Sequence, residues 1–308
     1  MSAKSKELVV ISGKGGTGKT SIVASFAALA EKAVLADCDV DAADLHLVLE
    51  PKIVRRESFS GGKRARVDPD RCTACGKCEE LCHFHAIRFD GPANDRAART
   101  FRVDPIACEG CGVCAWFCPE SAIEFEPAIN GEWYVSDTRH GSMVHAKLGI
   151  AEENSGKLVS TVRQEAGRLA EEQGIDLVLI DGSPGIGCPV IASITGADLV
   201  LIVTEPTLTG LHDLGRVAEV AKHFGIPALV CINKWDLNPE ITATIERQAA
   251  DHGLTSAGRV RYDQAVTYAQ IRKQAVVEYQ ENGCAGDIRE VWSAVRHSLG
   301  NGRTPEDK

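Results

Sequence analysis

The stretch running from Glu7 to Ala30 leaves the chain few ways to begin folding. ELVVIS is a short apolar run of buried-strand character. GKGGTGKT follows it at once, and SIVASFAALA then spaces its apolar residues as a helix does. Strand, glycine loop and helix in that order place backbone N–H groups at a helix N-terminus, where they can close around phosphate oxygens. Gly13, Lys14, Gly15, Gly16, Thr17, Gly18, Lys19 and Thr20 fit G-x-x-x-x-G-K-[ST], with Ser21 directly after. In such a loop Lys19 would reach the β and γ phosphates of a nucleotide and Thr20 would hold Mg²⁺.

The remaining apolar runs suit a sheet of parallel strands. AVLADCDVD (33–41) ends in acids, with Asp37, Asp39, Asp41 and Asp44 at or beyond the carboxyl end of a strand, where open parallel sheets bind ligands. Asp37 and Asp44 also suit a plain turn or capping role. DLVLIDGSPG (176–185) has the form of a Walker B strand, whose Asp181 would bind Mg²⁺ through water. DLVLIVTEP (198–206), a helical run over 210–224 and ALVCINKWD (228–236) continue the alternation. The expected architecture is therefore α/β, a P-loop nucleoside triphosphatase fold whose mostly parallel sheet is covered by helices on both faces.

Between these halves the pattern changes near SGGKRARVD (60–68). CTACGKCEELCHFHAI (72–87) recurs as CEGCGVCAWFCPESAI (108–123), displaced by 36 residues, with Gly76/Gly112, Ala86/Ala122 and Ile87/Ile123 matching besides all four cysteines. C-x2-C-x2-C-x3-C lets three thiolates wrap one face of a cubane while the fourth points to a neighbouring cluster. That spacing assigns Cys72, Cys75, Cys78 and Cys118 to one [4Fe–4S] cluster, and Cys108, Cys111, Cys114 and Cys82 to a second. Zinc is the rival, although its four-cysteine sites usually join two separated C-x2-C pairs. The repeats resemble a bacterial two-cluster ferredoxin over about 67–126, except that Cys82 is followed by His83 where Cys118 has Pro119. His83 and His85 are read as loop residues, with a tuning hydrogen bond from His83 as the alternative. The expected domains are 1–62 and 128–308 for the nucleotide-binding part and 63–127 for the insertion.

The second lysine of KGGTGKT gives this loop a family likeness. It resembles the deviant Walker A of the MinD, ParA, Mrp and nitrogenase iron protein group. The stretches HAKLGIAEENSGKLV (145–159), DGSPGIGCPVIAS (181–193) and VTEPTLTGLHDL (203–214) resemble the members of that superfamily that carry an inserted ferredoxin domain. The resemblance implies an ATP-dependent homodimer, or a heterodimer with a paralogue, in which Lys14 reaches the phosphates of the partner subunit's nucleotide. It also implies that Asp39 orients the attacking water and shares the Mg²⁺ surroundings with Thr20 and Asp181, and that Asn233 contacts the base. Cys188 lies seven residues after Asp181, the offset of a cysteine that binds the bridging cluster of the nitrogenase iron protein. The required second cysteine is missing, so a small buried residue next to the Walker B strand is the other reading.

Composition narrows the functions. A net charge of −9 and a sequence pI near 5.5 argue against a nucleic-acid surface. No apolar run approaches the roughly 20 residues of a membrane span, and the expectation is a cytoplasmic protein. Of the twelve cysteines, the two C-x2-C-x2-C-x3-C runs point to metal ligation over disulfides. Cys38, Cys231 and Cys284 read as small core residues. The last helix, DIREVWSAVRHSL (287–299), lines up Ile288, Val291, Trp292, Val295 and Leu299 for packing on the sheet. The leading reading is an ATPase whose nucleotide state controls electron transfer, or metal or Fe–S cofactor assembly, with a partner protein. The alternative is a positioning or scaffold ATPase of the ParA and MinD sort with redox-sensing clusters.

Overall fold

The computed structural model describes residues 5–149 and 155–300. The chain divides into two compact units. The first takes the described residues up to Glu57, Trp133–Lys147 and those from Ser155 on; the second takes Ser58–Glu132 with Leu148 and Gly149. The expected family stretch 145–159 lies partly outside the described residues.

In chain order the strands are β1 (Lys6–Ser12), β2 (Val34–Asp37), β3 (Lys52–Phe59), β4 (Gly62–Val67), β5 (Ile87–Gly91), β6 (Thr100–Val103), β7 (Ile123–Ala128), β8 (Gly131–Thr138), β9 (Gly141–Leu148), β10 (Leu177–Pro184), β11 (Leu199–Thr204), β12 (Ala228–Asn233) and β13 (Thr255–Val260). Nine of them form one sheet in the order β13-β12-β11-β1-β10-β2-β9-β8-β3. The ladders from β13 through β12, β11, β1, β10 and β2 to β9 are all parallel.

Parallel order needs both sheet faces covered, and the strand residues divide accordingly. Leu8 and Val10 of β1, Leu179 of β10, and Leu199, Leu201 and Val203 of β11 point into one core with Phe26, Leu45 and Leu49. Their neighbours Val9, Ile11, Ile180, Val200 and Ile202 are equally buried but belong to the opposite face. The register keeps these layers level, since Leu8 stands beside Leu179 on one side and Leu199 on the other. Cys38, Cys231 and Cys284 are buried. The helix Cys284–Gly300 buries Ile288, Val291, Val295 and Leu299, while its Trp292 meets Phe26 at 4.8 Å between ring centroids.

The second unit is built from two small antiparallel pairs, β4 with β7 and β5 with β6. The outer pair joins the strand before the first cysteine loop to the strand after the second, with Val67 opposite Ile123. Among the described residues no helix is long and apolar enough to cross a membrane.

Candidate functional site

In the first unit, β1 delivers the chain into Gly13–Thr20, and the helix Lys19–Leu29 starts at the end of that loop. Gly18 takes φ 90°, a left-handed conformation that favours glycine, and a Cβ there would lie 2.2 Å from Asn233 Nδ2. The close approach is functional in form: Asn233 Nδ2 donates to the Thr17 carbonyl at 2.7 Å, and its Oδ1 accepts the Lys234 N–H at 3.0 Å. Asn233, expected at a base, here holds the loop's own backbone.

Lys19 does not project into solvent. Its Nζ donates to Asp181 Oδ1 at 2.6 Å and to Asp39 Oδ2 at 3.3 Å, in surroundings that leave its side chain 6% exposed. Burial alone would drive its proton off, but Asp181, Asp39 and Asp37 outweigh that and raise its pKa to about 12. Asp37 is fully buried; burial and the nearby Asp181 push its carboxyl well above the usual range, Lys19 opposing. It accepts N–H bonds from Asp39 at 3.2 Å and Leu45 at 3.3 Å, which fixes the turn after β2. Burial also raises Asp39, against the pull of Lys19. Asp41 and Asp44 are exposed, and Asp44 sits at the N-cap of Leu45–Leu49 without a side-chain capping bond. Among the described residues, Asp181 Oδ2 and Thr17 Oγ1 are buried polar atoms of this site without a partner. Thr20 and Ser21 are half-buried beside them in sequence, with Gln270 donating to Ser21 Oγ at 3.1 Å.

The acid-bearing strand ends are tied together. Cys38 N–H donates to the Asp181 carbonyl at 2.8 Å, Ser183 Oγ–H to the Cys38 carbonyl at 2.6 Å, and Gly185 N–H to the Ser12 carbonyl at 2.8 Å. These bonds join the chain around Asp181 to the segment beside Asp39 and to the root of the glycine loop.

Lys14 turns to Glu205, just beyond β11, with Nζ to Oε1 at 2.7 Å. The other oxygen of Glu205 takes Lys234 Nζ at 2.9 Å, and Lys234 also donates to the Gly16 carbonyl at 3.0 Å. Burial would raise the Glu205 carboxyl, but the two lysines hold it below the ordinary range. Neither Glu205 nor Lys234 has a role among the sequence expectations. Both lie at strand ends that face the glycine loop, in TEP and NKWD, and that position was the available signal.

Cys188 is exposed, not the buried residue expected. It opens the helix Cys188–Ile194, which buries Val190 and Ile194 and turns its first residue outward. The other cysteines of this unit, Cys38, Cys231 and Cys284, are buried.

In the second unit the eight remaining cysteines line two chambers. Cys72, Cys75, Cys78 and Cys118 line one small chamber with Val67, Phe101, Ala122 and Ile123. Cys82, Cys108, Cys111 and Cys114 line another with Ala65, Phe84, Ile87 and Val103. Each chamber thus takes three cysteines from one repeat and the last cysteine of the other. The backbone repeats as well. Ala74 and Gly110 have φ 56° and 62°, Gly76 and Gly112 81° and 77°, His85 and Ser121 50° and 49°. Ala86 N–H donates to Cys82 Sγ at 3.4 Å and Ala122 N–H to Cys118 Sγ at 3.3 Å. Asp68 N–H bonds the Ala122 carbonyl at 2.7 Å, and Asp104 N–H the Ala86 carbonyl at 2.6 Å, so each repeat is stitched to the other. Burial pushes the Cys78 thiol up to about 11 and raises Cys114. Among the described residues no three His, Cys, Asp or Glu side chains converge as on a single metal ion.

Comparison with known proteins decides the family of the first unit. Residues 8–276 match the CobQ/CobB/MinD/ParA nucleotide binding domain, CbiA. The chain belongs to this family. An uncharacterized protein of Methanocaldococcus jannaschii, MJ0578, is 36% identical over 242 residues, 75% of this chain and 79% of the relative. Among solved structures, the cell division ATPase MinD of Pyrococcus furiosus is similar at TM-score 0.56 and 18% identity, covering 95% of this chain and 98% of its own. The septum site-determining protein MinD of Pyrococcus horikoshii, complexed with Mg-ADP, gives TM-score 0.57 at 17% identity over 96% and 98%. A variant of Cyanothece McdA in complex with ATP gives 0.57 at 16% over 97% and 97%. At such identities these three establish a common CbiA-type fold, the α/β sheet flanked by helices.

Proposed function

We propose that the chain is a Mg²⁺-dependent ATPase carrying two [4Fe–4S] clusters, and that its nucleotide state governs electron transfer to a partner protein, or metal or Fe–S cofactor assembly with one. The observation that carries the proposal is the pair of cysteine chambers, each lined by three thiols of one repeat and one of the other. Four-cysteine zinc sites usually join two separated C-x2-C pairs, whereas each chamber here takes three thiols from a seven-residue run of one repeat and a fourth from the other. The apolar linings and the N–H bonds to Cys82 and Cys118 suit sulfur-rich clusters. Cys72, Cys75, Cys78 and Cys118 would hold one cluster, and Cys108, Cys111, Cys114 and Cys82 the other. When bound, such clusters supply one-electron transfer.

On the nucleotide side, Gly13–Thr20 with Ser21 would bind the phosphates, and Thr20, Asp39 and Asp181 would surround Mg²⁺, which neutralises phosphate charge. The ammonium of Lys19 between Asp181 and Asp39 occupies surroundings suited to a cation, and Asp181 Oδ2 is left open for one. On nucleotide binding, Lys19 moves from these carboxylates to the phosphates and Asp39 is freed to orient the attacking water. Lys14 serves a second subunit in an ATP-dependent homodimer or a heterodimer with a paralogue. The inserted unit lies in sequence between the Asp39 segment and Asp181. Order imposed on either segment by nucleotide therefore acts on chain that flanks the insertion.

One anaerobic preparation tests the reading. Wild type is expected to hold about eight irons per chain and to hydrolyse MgATP, and Lys19→Ala to keep the iron and lose hydrolysis. Cys188→Ser leaves iron unchanged if Cys188 takes no part in a bridging cluster. Zinc in place of iron, or iron held without the eight cysteines, sinks the cluster half.

A second reading is supported by the likeness to MinD: a positioning or scaffold ATPase whose clusters sense redox state. It predicts that nucleotide changes assembly and leaves cluster potentials alone.

A further inference from the structure

Glu205 stands between the two lysines that bracket the glycine loop. Its Oε1 meets Lys14 at 2.7 Å and its Oε2 meets Lys234 at 2.9 Å, with its side chain 14% exposed. Lys14 is further held by the hydroxyls of Thr209 at 3.0 Å and Thr207 at 3.4 Å. Thr207 is itself pinned, because as N-cap of the helix Leu208–His223 its Oγ1 accepts the Gly210 N–H at 3.0 Å. The turn has little slack: a Cβ on Gly210 would lie 2.3 Å from the Glu205 carbonyl. Lys14 therefore has three oxygen partners on one rigid corner of its own subunit, while its side chain remains 33% exposed.

The two ion pairs differ in what else holds the lysine. Lys234 keeps the Gly16 carbonyl at 3.0 Å if Glu205 is lost, so it stays on the glycine loop. Lys14 has only the two threonine hydroxyls left. A lysine that must cross to another subunit has to leave these partners first, and the strength of the hold sets how much nucleotide is needed to draw it away.

We propose that Glu205 is a latch that holds Lys14 in cis and so sets the nucleotide concentration at which two subunits join. The inference rests on the ATP-dependent dimer of the proposed function. Glu205 touches neither substrate nor reacting atoms in this account; it is a positioning residue that acts through Lys14.

The test compares wild type, Glu205→Gln, Thr209→Val, Lys14→Ala and the Glu205→Gln/Lys14→Ala double variant. The first readout is acetylation of Lys14 by acetic anhydride in nucleotide-free protein, followed by mass spectrometry with the exposed Lys32 as internal reference. Glu205→Gln is expected to speed Lys14 about fivefold, the scale a partly exposed ion pair supports, and Thr209→Val to speed it less. The second readout is light scattering across a MgATP titration. Glu205→Gln should reach half-dimerisation at about fivefold less MgATP, and both Lys14→Ala chains should fail to dimerise whatever stands at 205. Unchanged Lys14 acetylation in both Glu205→Gln and Thr209→Val overturns the latch, as does a dimer threshold that stays put or rises. If wild type never dimerises, the dimer reading fails by itself, and equal acetylation rates still reject the hold on Lys14. Should Glu205→Gln not fold, Thr209→Val carries the same comparison.

Discussion

Lys19 donates to Asp181 at 2.6 Å inside a pocket where three carboxylates, Asp37, Asp39 and Asp181, share that one ammonium. Removing the ammonium leaves buried negative charge without its counter-ion. Lys19→Ala is expected to lose about 3 kcal/mol of stability in nucleotide-free protein, beyond its loss of ATP hydrolysis. Urea unfolding measures the first effect and phosphate release the second. A variant of unchanged stability would mean that the Lys19 ammonium is not the counter-ion this buried cluster needs.

The glycine loop and Asn233 should respond as one piece. Gly18→Ala puts a methyl within 2.2 Å of Asn233 Nδ2 at φ 90°, so stability should fall by about 2 kcal/mol and nucleotide affinity with it. Asn233→Ala alone, which removes the bond to the Thr17 carbonyl, should cost about 1 kcal/mol. In the double variant the losses should be less than additive, because the clash is gone. Unfolding midpoints of the four proteins check this.

The crossed chambers make a countable prediction. Cys118→Ser should remove about four irons per chain, and adding Cys72→Ser should remove no more, since both line one chamber. Adding Cys114→Ser to Cys118→Ser should empty both chambers, although Cys114 and Cys118 lie in the same repeat. Iron assay of anaerobic protein reads the result directly. Losses that follow the repeat instead of the chamber would contradict the crossed assignment.

The chambers also differ in charge. Lys77 lines the first, and Val113 holds the matching place in the second, beside Glu109. Lys77→Gln should lower the potential of the first site by tens of millivolts, roughly, and leave the second nearly unchanged in an EPR-monitored titration.

His145 supplies a pH test. Burial, with His46 adding to it, lowers its pKa to about 4, and it stacks on Tyr134 at 5.0 Å and bonds Ser136 at 2.9 Å. Its folded pKa lies below the unfolded value of 6.5, so folding favours the neutral ring. The contribution is present above pH 6.5 and is lost as pH falls from there through 4. Wild type should weaken by about 2 kcal/mol between about pH 7.5 and about pH 4.5, and His145→Gln by clearly less, in urea titrations at both values.

The parts of this molecule that obey a local rule were legible in the sequence. The unbroken apolar runs LVVI and VLIVT showed buried parallel strands because both faces of the sheet are covered, and G-K-[ST] after a strand marked the loop. The 36-residue repeat recurs in the structure as a repeated set of backbone turns, and its cysteines line two chambers. What stayed hidden depends on side chains meeting from distant strands. Glu205 and Lys234 carry no motif weight, yet the order β12-β11-β1 sets their strand ends beside the loop. Cys188 was expected inside because cysteine is commonly buried, but its place at the start of a seven-residue helix decided otherwise. Asn233 was read as a base contact, and the structure gives it a partner in the Thr17 carbonyl.

The most direct measurement is the reduction potential of each proposed cluster in anaerobic protein, followed by EPR with and without MgATP, in wild type and Lys19→Ala. The account predicts a shift on adding MgATP to wild type and none in the variant. Potentials that ignore nucleotide in both proteins, while assembly responds to it, would contradict coupling and leave the positioning ATPase in its place.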